Sequence, residues 1–480
     1  MNLSAMQIQS IVDATKTPTP EQVRVVEAPR RPLLVVAGAG SGKTETMSMR
    51  VLWLLANHPD LTPASILGLT FTRKAAGELG DRLRERIRLL SREMPQMRER
   101  LDEDPVALTY NSFAERIVSE HGMRIGIDPD FSMLSEAGAL DLMTQIVEAW
   151  PTDLDEELRP IDAVPQVLHL AGELAEHGFT VESAREALEE LGRELSQVGD
   201  TNVEARNLLR ANRRRLAFLG PIATYQQRKR EMGVLDFSDQ LVLATRIVRE
   251  APAVRAALRE EFRAVLLDEF QDTSVIQMEL LSTLFGDHAV TAVGDPNQAI
   301  YGWRGASASS LETFLDHFQS GAPEAGQTLT LSTAWRNDVS ILDAANRVAA
   351  PLREVASYQQ GKDALKAQSP VLVPRKGAGQ GTVEIAYTQV YEDALAATVD
   401  FVKRVRSQAT KDGKRRTVAV LSRRRKDFPF IDAALREAGI PTEIVGLGGL
   451  LDQPAVQDVR AALELAYDVA ASPWLARLLA

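Results

Sequence analysis

Val35-Val36-Ala37-Gly38-Ala39-Gly40-Ser41-Gly42-Lys43-Thr44 sets three glycines in front of a lysine and a hydroxyl, directly after an apolar run that begins at Leu33. Glycines at alternate positions let the backbone take positive φ and turn successive N–H groups inward, which makes a cradle for an anion. The segment from Thr44 to Leu55 has few helix breakers, so the positive end of its dipole would face the same anion. Lys43 adds a cation for the β- and γ-phosphates and Thr44 a hydroxyl ligand for Mg²⁺, so Ala37 to Thr44 reads as a phosphate-binding loop. Its first position is Ala37 where the G-x-x-x-x-G-K-[ST] pattern has glycine.

A second chemical group lies far along the chain, where Phe262-Arg263-Ala264-Val265-Leu266-Leu267 runs into Asp268-Glu269-Phe270-Gln271-Asp272. An apolar strand that ends in Asp-Glu suits a phosphate-loop ATPase: Asp268 holds Mg²⁺ and Glu269 polarises the attacking water. A buried acidic pair is costly unless it meets a cation, which argues against a purely structural role. A third strand, Ala289 to Val293, leads to Gly294-Asp295-Pro296-Asn297-Gln298, where the Gln298 amide can donate to a γ-phosphate. Three residues on, Tyr301 begins a group with Trp303 and Arg304 suited to stacking on a nucleic-acid strand.

Thr70-Phe71-Thr72-Arg73-Lys74 gives the same kind of signal, with hydroxyls and cations for backbone phosphates and Phe71 as a stacking face; Tyr110-Asn111 repeats it. Arg336, after Trp335, is a candidate stabiliser of charge contributed across a domain boundary. Gln22 follows Thr19-Pro20-Glu21, a helix start, and its amide can pair with an adenine edge.

These groups need strands to hold them, and the apolar runs provide an α/β framework. The interval from Lys43 to Asp268 is too long for neighbouring strands of a plain α/β sheet unless something is inserted. The stretch rich in Leu, Ala, Glu and Arg that fills it predicts a helical insertion over 109–233, splitting a first domain into 1–108 and 234–325. Residues 326–480 read as a second α/β unit without a phosphate loop, with strands at Thr382–Ile385, Thr417–Leu421 and Thr442–Val445 and a basic cluster between Lys403 and Lys426.

Composition narrows the class. The 480 residues are 45% apolar and 25% charged, as in soluble globular chains, and length suggests roughly three domains. Without cysteine there are no disulfides, thiolate zinc sites or iron–sulfur cluster, which fits a reducing cytoplasm. No long apolar run and no secretory leader is visible, so the expectation is a soluble protein with no membrane association. A net charge of −11 argues against nonspecific coating of nucleic acid but leaves room for a local basic track.

The order of these groups resembles the superfamily 1 DNA helicases of the UvrD/Rep/PcrA type, the actinobacterial UvrD-like branch most of all. The matches are Gln22, Ala37 to Thr44, Thr70 to Ala76, Thr109 to Phe113, Leu235-Asp236-Phe237, Asp268 to Thr273, Gly294 to Ala306 and Trp335-Arg336. The resemblance implies an ATP-dependent 3′-to-5′ single-strand DNA translocase and helicase of DNA repair or recombination. It has two RecA-like domains, the first a parallel-sheet P-loop NTPase domain and the second incomplete here, with ATP and Mg²⁺ bound between them.

By position it makes Gln22 a reader of adenine and Trp335 its ring neighbour, gives Lys43, Thr44, Asp268 and Glu269 to ATP and Mg²⁺, and lets Gln298 and Arg336 sense the γ-phosphate. Phe71, Tyr110, Tyr301, Trp303 and Arg304 would lie along single-stranded DNA, with Thr70, Thr72 and Asn111 beside them. Implied partners are single-stranded DNA, single-strand/duplex junctions and repair proteins, at a cytoplasmic, nucleoid-associated location.

Two departures stand out: Glu45 replaces an arginine that flanks the base in many relatives, and the chain ends at Ala480 before the family's late motifs, where the second domain's own insertion should begin. Two further expectations follow. One is the motor part of a helicase–nuclease for double-strand-break processing, which the closing Gly446-Leu447-Gly448-Gly449-Leu450-Leu451 resembles; the other is an ATP- and single-strand-binding protein without unwinding activity. A signalling GTPase is disfavoured because no Asn-Lys-x-Asp stretch occurs.

Overall fold

Short runs of branched apolar residues become strands when both of their faces can be covered, and this chain supplies helices for both. In a computed structural model the described residues are 3–128, 130–155, 158–197, 203–302, 305–306, 309–319, 325–358, 368–408, 413–445, 454–467 and 478. They form two units, Met1–Thr382 and Val383–Ala480.

The first unit opens with α1 (Ala5–Asp13) and α2 (Pro20–Val26), then β1 (Leu33–Ala37), α3 (Lys43–Asn57), β2 (Ile66–Thr70), α4 (Arg73–Glu93), β3 (Val106–Thr109) and α5 (Tyr110–His121). The inserted part is β4 (Ser132–Met133), α6 (Glu136–Glu148), α7 (Pro160–Glu176), α8 (Val181–Gln197), α9 (Val203–Met232) and β5 (Val234–Leu235). The chain returns through α10 (Phe237–Glu250), α11 (Pro252–Glu261), β6 (Ala264–Leu267), α12 (Val275–Phe285), β7 (Val290–Gly294), α13 (Phe314–Phe318) and β8 (Gln327–Leu331). It closes with β9 (Thr333–Ala334), α14 (Val339–Tyr358) and β10 (Val373–Pro374).

Six strands make one sheet in the order β3-β2-β6-β7-β1-β8, every pair parallel. Alternation decides which side each residue covers. Leu34, Val36, Leu67, Leu69, Val265 and Leu267 pack under α5, α10, α11, α12 and α13. Leu33, Val35, Ala37, Ile66, Ala264 and Leu266 pack under α1, α2, α3 and α4. Phosphate loop and acidic pair therefore leave the carboxyl ends of β1 and β6, with only β7 between them, on the edge where open α/β sheets bind ligands.

The insertion is a helical unit with its own core, in which Met143, Val167, Leu219 and Ile222 are among the most buried side chains. Its entry and exit are joined by the β4–β5 pair, with the Leu134 N–H donating to the Leu235 carbonyl at 2.8 Å. The expected boundary at 109 shifts: α5 turns Phe113, Ala114, Ile117 and Val118 into the sheet's core, so the separate helical unit begins beyond it.

A second correction concerns β8, which the sequence reading placed in the second domain. It pairs along its whole length with β1, from Leu33 beside Gln327 to Ala37 beside Leu331, and closes the first sheet. Polar-apolar alternation in Gln327–Leu331 marks an edge strand but does not name its neighbour.

In the unit Val383–Ala480, α15 (Tyr391–Ser407) and α16 (Phe428–Glu437) enclose a small core of Val402, Leu435 and Ile440, followed by α17 (Pro454–Tyr467). The strands expected at Thr382–Ile385, Thr417–Leu421 and Thr442–Val445 do not form; these residues carry no ladder, and Ile385, Leu421 and Val445 are 92%, 93% and 87% exposed. A strand is stable only through neighbours that take its hydrogen bonds and cover its face, and among the described residues of this unit none does so. Gly446 to Leu451 lie outside the described residues.

Candidate functional site

Past Ala37 the chain leaves β1 and curls. Gly40 and Gly42 take φ of 74° and 82°, values that favour glycine, and Gly42 is the N-cap of α3. The Gly38 N–H donates to the Leu331 carbonyl at 3.0 Å and the Ser41 N–H to the Gly38 carbonyl at 3.2 Å, which fixes the loop's base. Ala37 itself is the last residue of β1 and fully buried, so its methyl belongs to the core and the missing glycine leaves the curl intact.

Lys43 Nζ lies 2.7 Å from a Glu269 carboxylate oxygen, so the loop and the acidic strand end meet despite the insertion between them. The Asp268 N–H donates to the Leu69 carbonyl at 2.8 Å, continuing the sheet register. Glu269 then breaks it with φ 48° and ψ 44°, the single non-glycine residue at positive φ among those described. Such a conformation costs about 1–3 kcal/mol and persists where its surroundings over-determine it. Here the anchors are the ion pair to Lys43, a 2.9 Å bond from Gln271 Nε2, and Phe270, whose buried ring packs edge-on against Phe314.

Charge in this pocket is unbalanced. Asp268, Glu269 and Asp272 cluster near Lys43; burial first and the Glu269 carboxylate second push Asp268 and Asp272 up to about 6. Tyr110 lies beneath, donating its hydroxyl to the Asp268 carbonyl at 3.0 Å, and burial raises its phenol above the usual range. Only 4% exposed, it supports the acidic strand end through this bond and shows a small part of its surface to the cleft described below.

Gln271 joins this pocket to the end of β7. Its Nε2 also reaches Asp272 at 3.3 Å, while its Oε1 accepts from the Asp295 N–H at 3.0 Å. Asp295 in turn accepts from Gln298 Nε2 at 2.7 Å and from Ser369 Oγ at 3.2 Å. Gln298 is exposed, and its amide nitrogen is engaged by Asp295.

On the loop's other side stand Gln22, Trp335 and Arg336. A Cβ built on Gly42 would come 3.1 Å from Gln22 Nε2 and 3.6 Å from Trp335 Cδ1, and one on Gly40 would come 3.1 Å from Arg336 Cβ. The Trp335 N–H donates to the Gly40 carbonyl at 2.8 Å. Arg336 is exposed and forms no ion pair with the described residues. Glu45, in the first turn of α3, pairs with Arg86 at 2.5 Å.

The residues fit a magnesium nucleotide. Among the described residues the buried Ser41 hydroxyl has no partner, and burial first and the Glu269 carboxylate second hold the carboxyls of Asp268 and Asp272 up despite Lys43. Thr44 and Asp268 would hold Mg²⁺, an ion that usually takes one or two protein carboxylates and completes its shell with phosphates and water.

A cleft of about 530 Å³ opens between this edge of the sheet and the inserted helix α7; Phe71, Arg73, Asn111, His169 and Phe237 line it. Phe71 and Tyr301 pack together with ring centroids 4.8 Å apart and planes tilted by 35°. Thr72 caps α4 through the Ala75 N–H at 3.1 Å, and Asn111 accepts from Gln277 at 3.2 Å. Thr70 is 1% exposed, its hydroxyl buried without a partner, so it backs the cleft rather than facing it. Trp303 and Arg304 lie outside the described residues.

Residues 18–319 match the family model described as the UvrD/REP helicase N-terminal domain. The chain belongs to this family. It is similar to DNA helicase II of Escherichia coli K12, 27% identical over 448 residues covering 93% of this chain and 54% of that protein. It is also similar to the ATP-dependent DNA helicase PcrA of Staphylococcus aureus Mu50, at 26% over 454 residues with 93% and 53% covered, and to PcrA of Leuconostoc citreum, at 27% over 344 residues with 72% and 40% covered. The chain thus spans about half the length of the curated relatives it matches.

Within this UvrD/REP chain the sequence reading gave no role to two of the residues just described. Phe237 is 53% exposed and opens onto the cleft, signalled by an aromatic just after the helix cap Asp236. Gln271 carried no signal of its own: its role follows from Asp295, a partner 24 positions away.

Proposed function

We propose that this chain carries the ATP-hydrolysing motor of a DNA helicase that moves 3′ to 5′ on single-stranded DNA in repair or recombination. The observation that carries this reading is the meeting of Lys43 with Glu269 at 2.7 Å on a sheet edge that also presents the Phe71–Tyr301 pair. When bound, MgATP supplies the γ-phosphoryl group whose transfer to water drives the cycle. Lys43 and the N–H groups of Gly42 to Thr44, at the start of α3, would bind the phosphates, and Thr44 with Asp268 would hold the metal. Glu269 takes the proton of the attacking water, which requires Lys43 to leave it for the phosphates. Gln298 and Arg336 read the γ-phosphate, and Gln22 with Trp335 holds adenine.

Phe71, Tyr301 and Phe237 provide stacking faces for bases, with Thr72, Asn111, Trp303 and Arg304 beside them on the strand. Gln271 connects the two halves, since it bonds to the water-activating Glu269 at one end and to the loop leading to Tyr301 at the other. Single-strand/duplex junctions and repair proteins are the corresponding partners, in a cytoplasmic, nucleoid-associated setting. No helix among the described residues is long and apolar enough to cross a membrane.

The test is ATP hydrolysis by the full chain with and without single-stranded DNA. The expected result is a Mg²⁺-dependent rate that rises with DNA and is lost in Lys43→Ala; an unchanged rate in that variant refutes the assignment.

A further inference from the structure

Arg50 heads the largest fully buried side chains of the described residues, and its guanidinium forms no ion pair with them. Its partners are carbonyls and one hydroxyl. Nη1 donates to Val25 at 2.9 Å, Val26 at 3.3 Å and Ala28 at 2.8 Å, Nη2 to Pro29 at 3.1 Å, and Nε to Thr291 Oγ1 at 2.9 Å. Four of these acceptors are the end of α2 and the turn after it, where the helix dipole is negative and carbonyls lack intrahelical partners. Arg50 stands about two turns into α3, the helix that begins at Lys43. Thr291 is on β7, which ends at the Asp295–Gln298 loop.

The other end of α2 is held as firmly. The Glu21 carboxylate accepts from both the Ser332 N–H and the Ser332 hydroxyl, each at 2.8 Å. Ser332 lies between β8 and β9, on the segment that brings Trp335 and Arg336 to the phosphate loop. Between these two fixed points Gln22 caps its own helix. Its Oε1 accepts the Thr19 N–H at 2.9 Å, which orients the amide so that Nε2 stands over Gly42 next to Trp335.

A short helix of seven residues carries the base reader, and its propensity alone does not fix its place. The phosphate loop is fixed separately, by β1 and α3. Discrimination between bases therefore depends on the offset between the two parts, and Arg50 and Glu21 are the contacts that set it.

We infer that Arg50 is a positioning residue for nucleobase selectivity: by gripping the end of α2 from the phosphate-loop helix, it sets Gln22 at the distance at which one nucleotide meets both. Ser332, through Glu21, fixes the opposite end. This rests on the reading of Gln22 as the base-contacting side chain. It assigns Arg50 no contact with the nucleotide, so affinity for the phosphates alone is independent of it.

The experiment measures binding of MgATP, MgGTP and inorganic tripolyphosphate to the full chain by calorimetry, for wild type, Arg50→Lys, Ser332→Ala and Gln22→Ala. Lysine keeps the charge but loses the planar fork that serves several carbonyls at once. Ser332→Ala leaves the Arg50 hydrogen bonds untouched, since Ser332 bonds Glu21 and not the guanidinium, and keeps the test open if the arginine variant folds poorly. Both are expected to lower the preference for ATP over GTP about tenfold, comparable to one net hydrogen bond, with tripolyphosphate affinity within about twofold of wild type. Gln22→Ala should lower the same ratio. If Gln22→Ala lowers it while Arg50→Lys and Ser332→Ala keep the wild-type ratio and merely lower the melting temperature, Arg50 is structural and the proposal is overturned. If Gln22→Ala also keeps the wild-type ratio, the base-reading assignment itself fails and the proposal with it.

Discussion

Replacing Gln271 by alanine should uncouple DNA binding from ATP hydrolysis while leaving the phosphate loop intact. The side chain is 3% exposed and spends both ends of its amide on polar groups: Nε2 on Glu269 and Asp272, Oε1 on the Asp295 N–H. Truncation removes a charge-assisted bond worth about 1.5–3 kcal/mol and leaves the buried Asp295 N–H without an acceptor, at about 1–3 kcal/mol. Relaxation and water entry recover part of that sum, so the expected destabilisation is about 3 kcal/mol, read as a lower urea midpoint at unchanged m-value. The functional consequence is separate. Glu269 loses one of the anchors of its left-handed backbone, and the loop leading to Tyr301 loses its tie to Glu269. Basal hydrolysis should fall by less than about tenfold, whereas stimulation by saturating oligo(dT) should all but disappear. Gln271→Glu, which keeps the shape but adds a carboxylate beside Glu269 and Asp272, should be at least as damaging as alanine. A Gln271→Ala protein with wild-type DNA stimulation would refute the reasoning, because the tie would then carry no information between the two sites.

Three further outcomes follow from the same geometry. Phe71→Ala should weaken binding of single-stranded DNA by about 1–3 kcal/mol, the usual value of one base on an aromatic face, measured by fluorescence anisotropy at fixed salt; an unchanged Kd removes Phe71 from the track. Lys229→Met should lower unfolding free energy by about 2–3 kcal/mol, because Lys229 is 4% exposed and bonds Asp236 at 2.5 Å and Asp239 at 2.6 Å, leaving two partly buried carboxylates together when it is lost. A loss under about 1 kcal/mol in urea melts would contradict that. Asp272→Asn should raise the urea midpoint near neutral pH: with a folded-state pKa raised from 3.8 to about 6, the native protein binds the proton more tightly than the unfolded chain, so ionisation above about 6 destabilises it. The gain should shrink as pH falls from about 6 towards 3.8, and a pH-independent gain would exclude this origin.

The phosphate loop and acidic strand end were legible because each is written locally. Glycine at 40 and 42 supplies the positive φ that the curl needs, and the acids follow an unbroken apolar run. The insertion was legible from an interval, since nothing else brings Lys43 to Glu269. What escaped was whatever depends on a distant partner. Tyr110 beside Asn111 looks like a surface aromatic until the Asp268 carbonyl, 158 positions on, takes its hydroxyl. β8 reads as a strand but carries no mark that β1 is its neighbour. Around 382–385, 417–421 and 442–445 the β-branched apolar residues of strands are present, yet a strand's hydrogen bonds belong to pairs, and sequence pattern cannot report that the other member is missing.

The charge arrangement around Glu269 separates a functional acidic cluster from a structural one. At Lys229 one lysine meets two partly buried aspartates and their titration splits, Asp236 lowered by the cation and Asp239 raised by burial and by Asp236. Around Lys43 there is no such split: Asp268 and Asp272 are both raised, each by burial and by Glu269, and the ammonium that lowers them does not offset this. Nor does the backbone relax, since Glu269 stays at φ 48°. Strain and surplus negative charge on the same strand end, facing a loop whose Ser41 hydroxyl has no partner among the described residues, fit the arrival of charge of both signs. A magnesium nucleotide would bring both: Asp268 and Thr44 would hold its metal, which would offset the surplus negative charge, and its phosphates would take Lys43 from Glu269. The same exchange would free the Glu269 carboxylate from its ion pair, as the proposed role of accepting a proton from water requires.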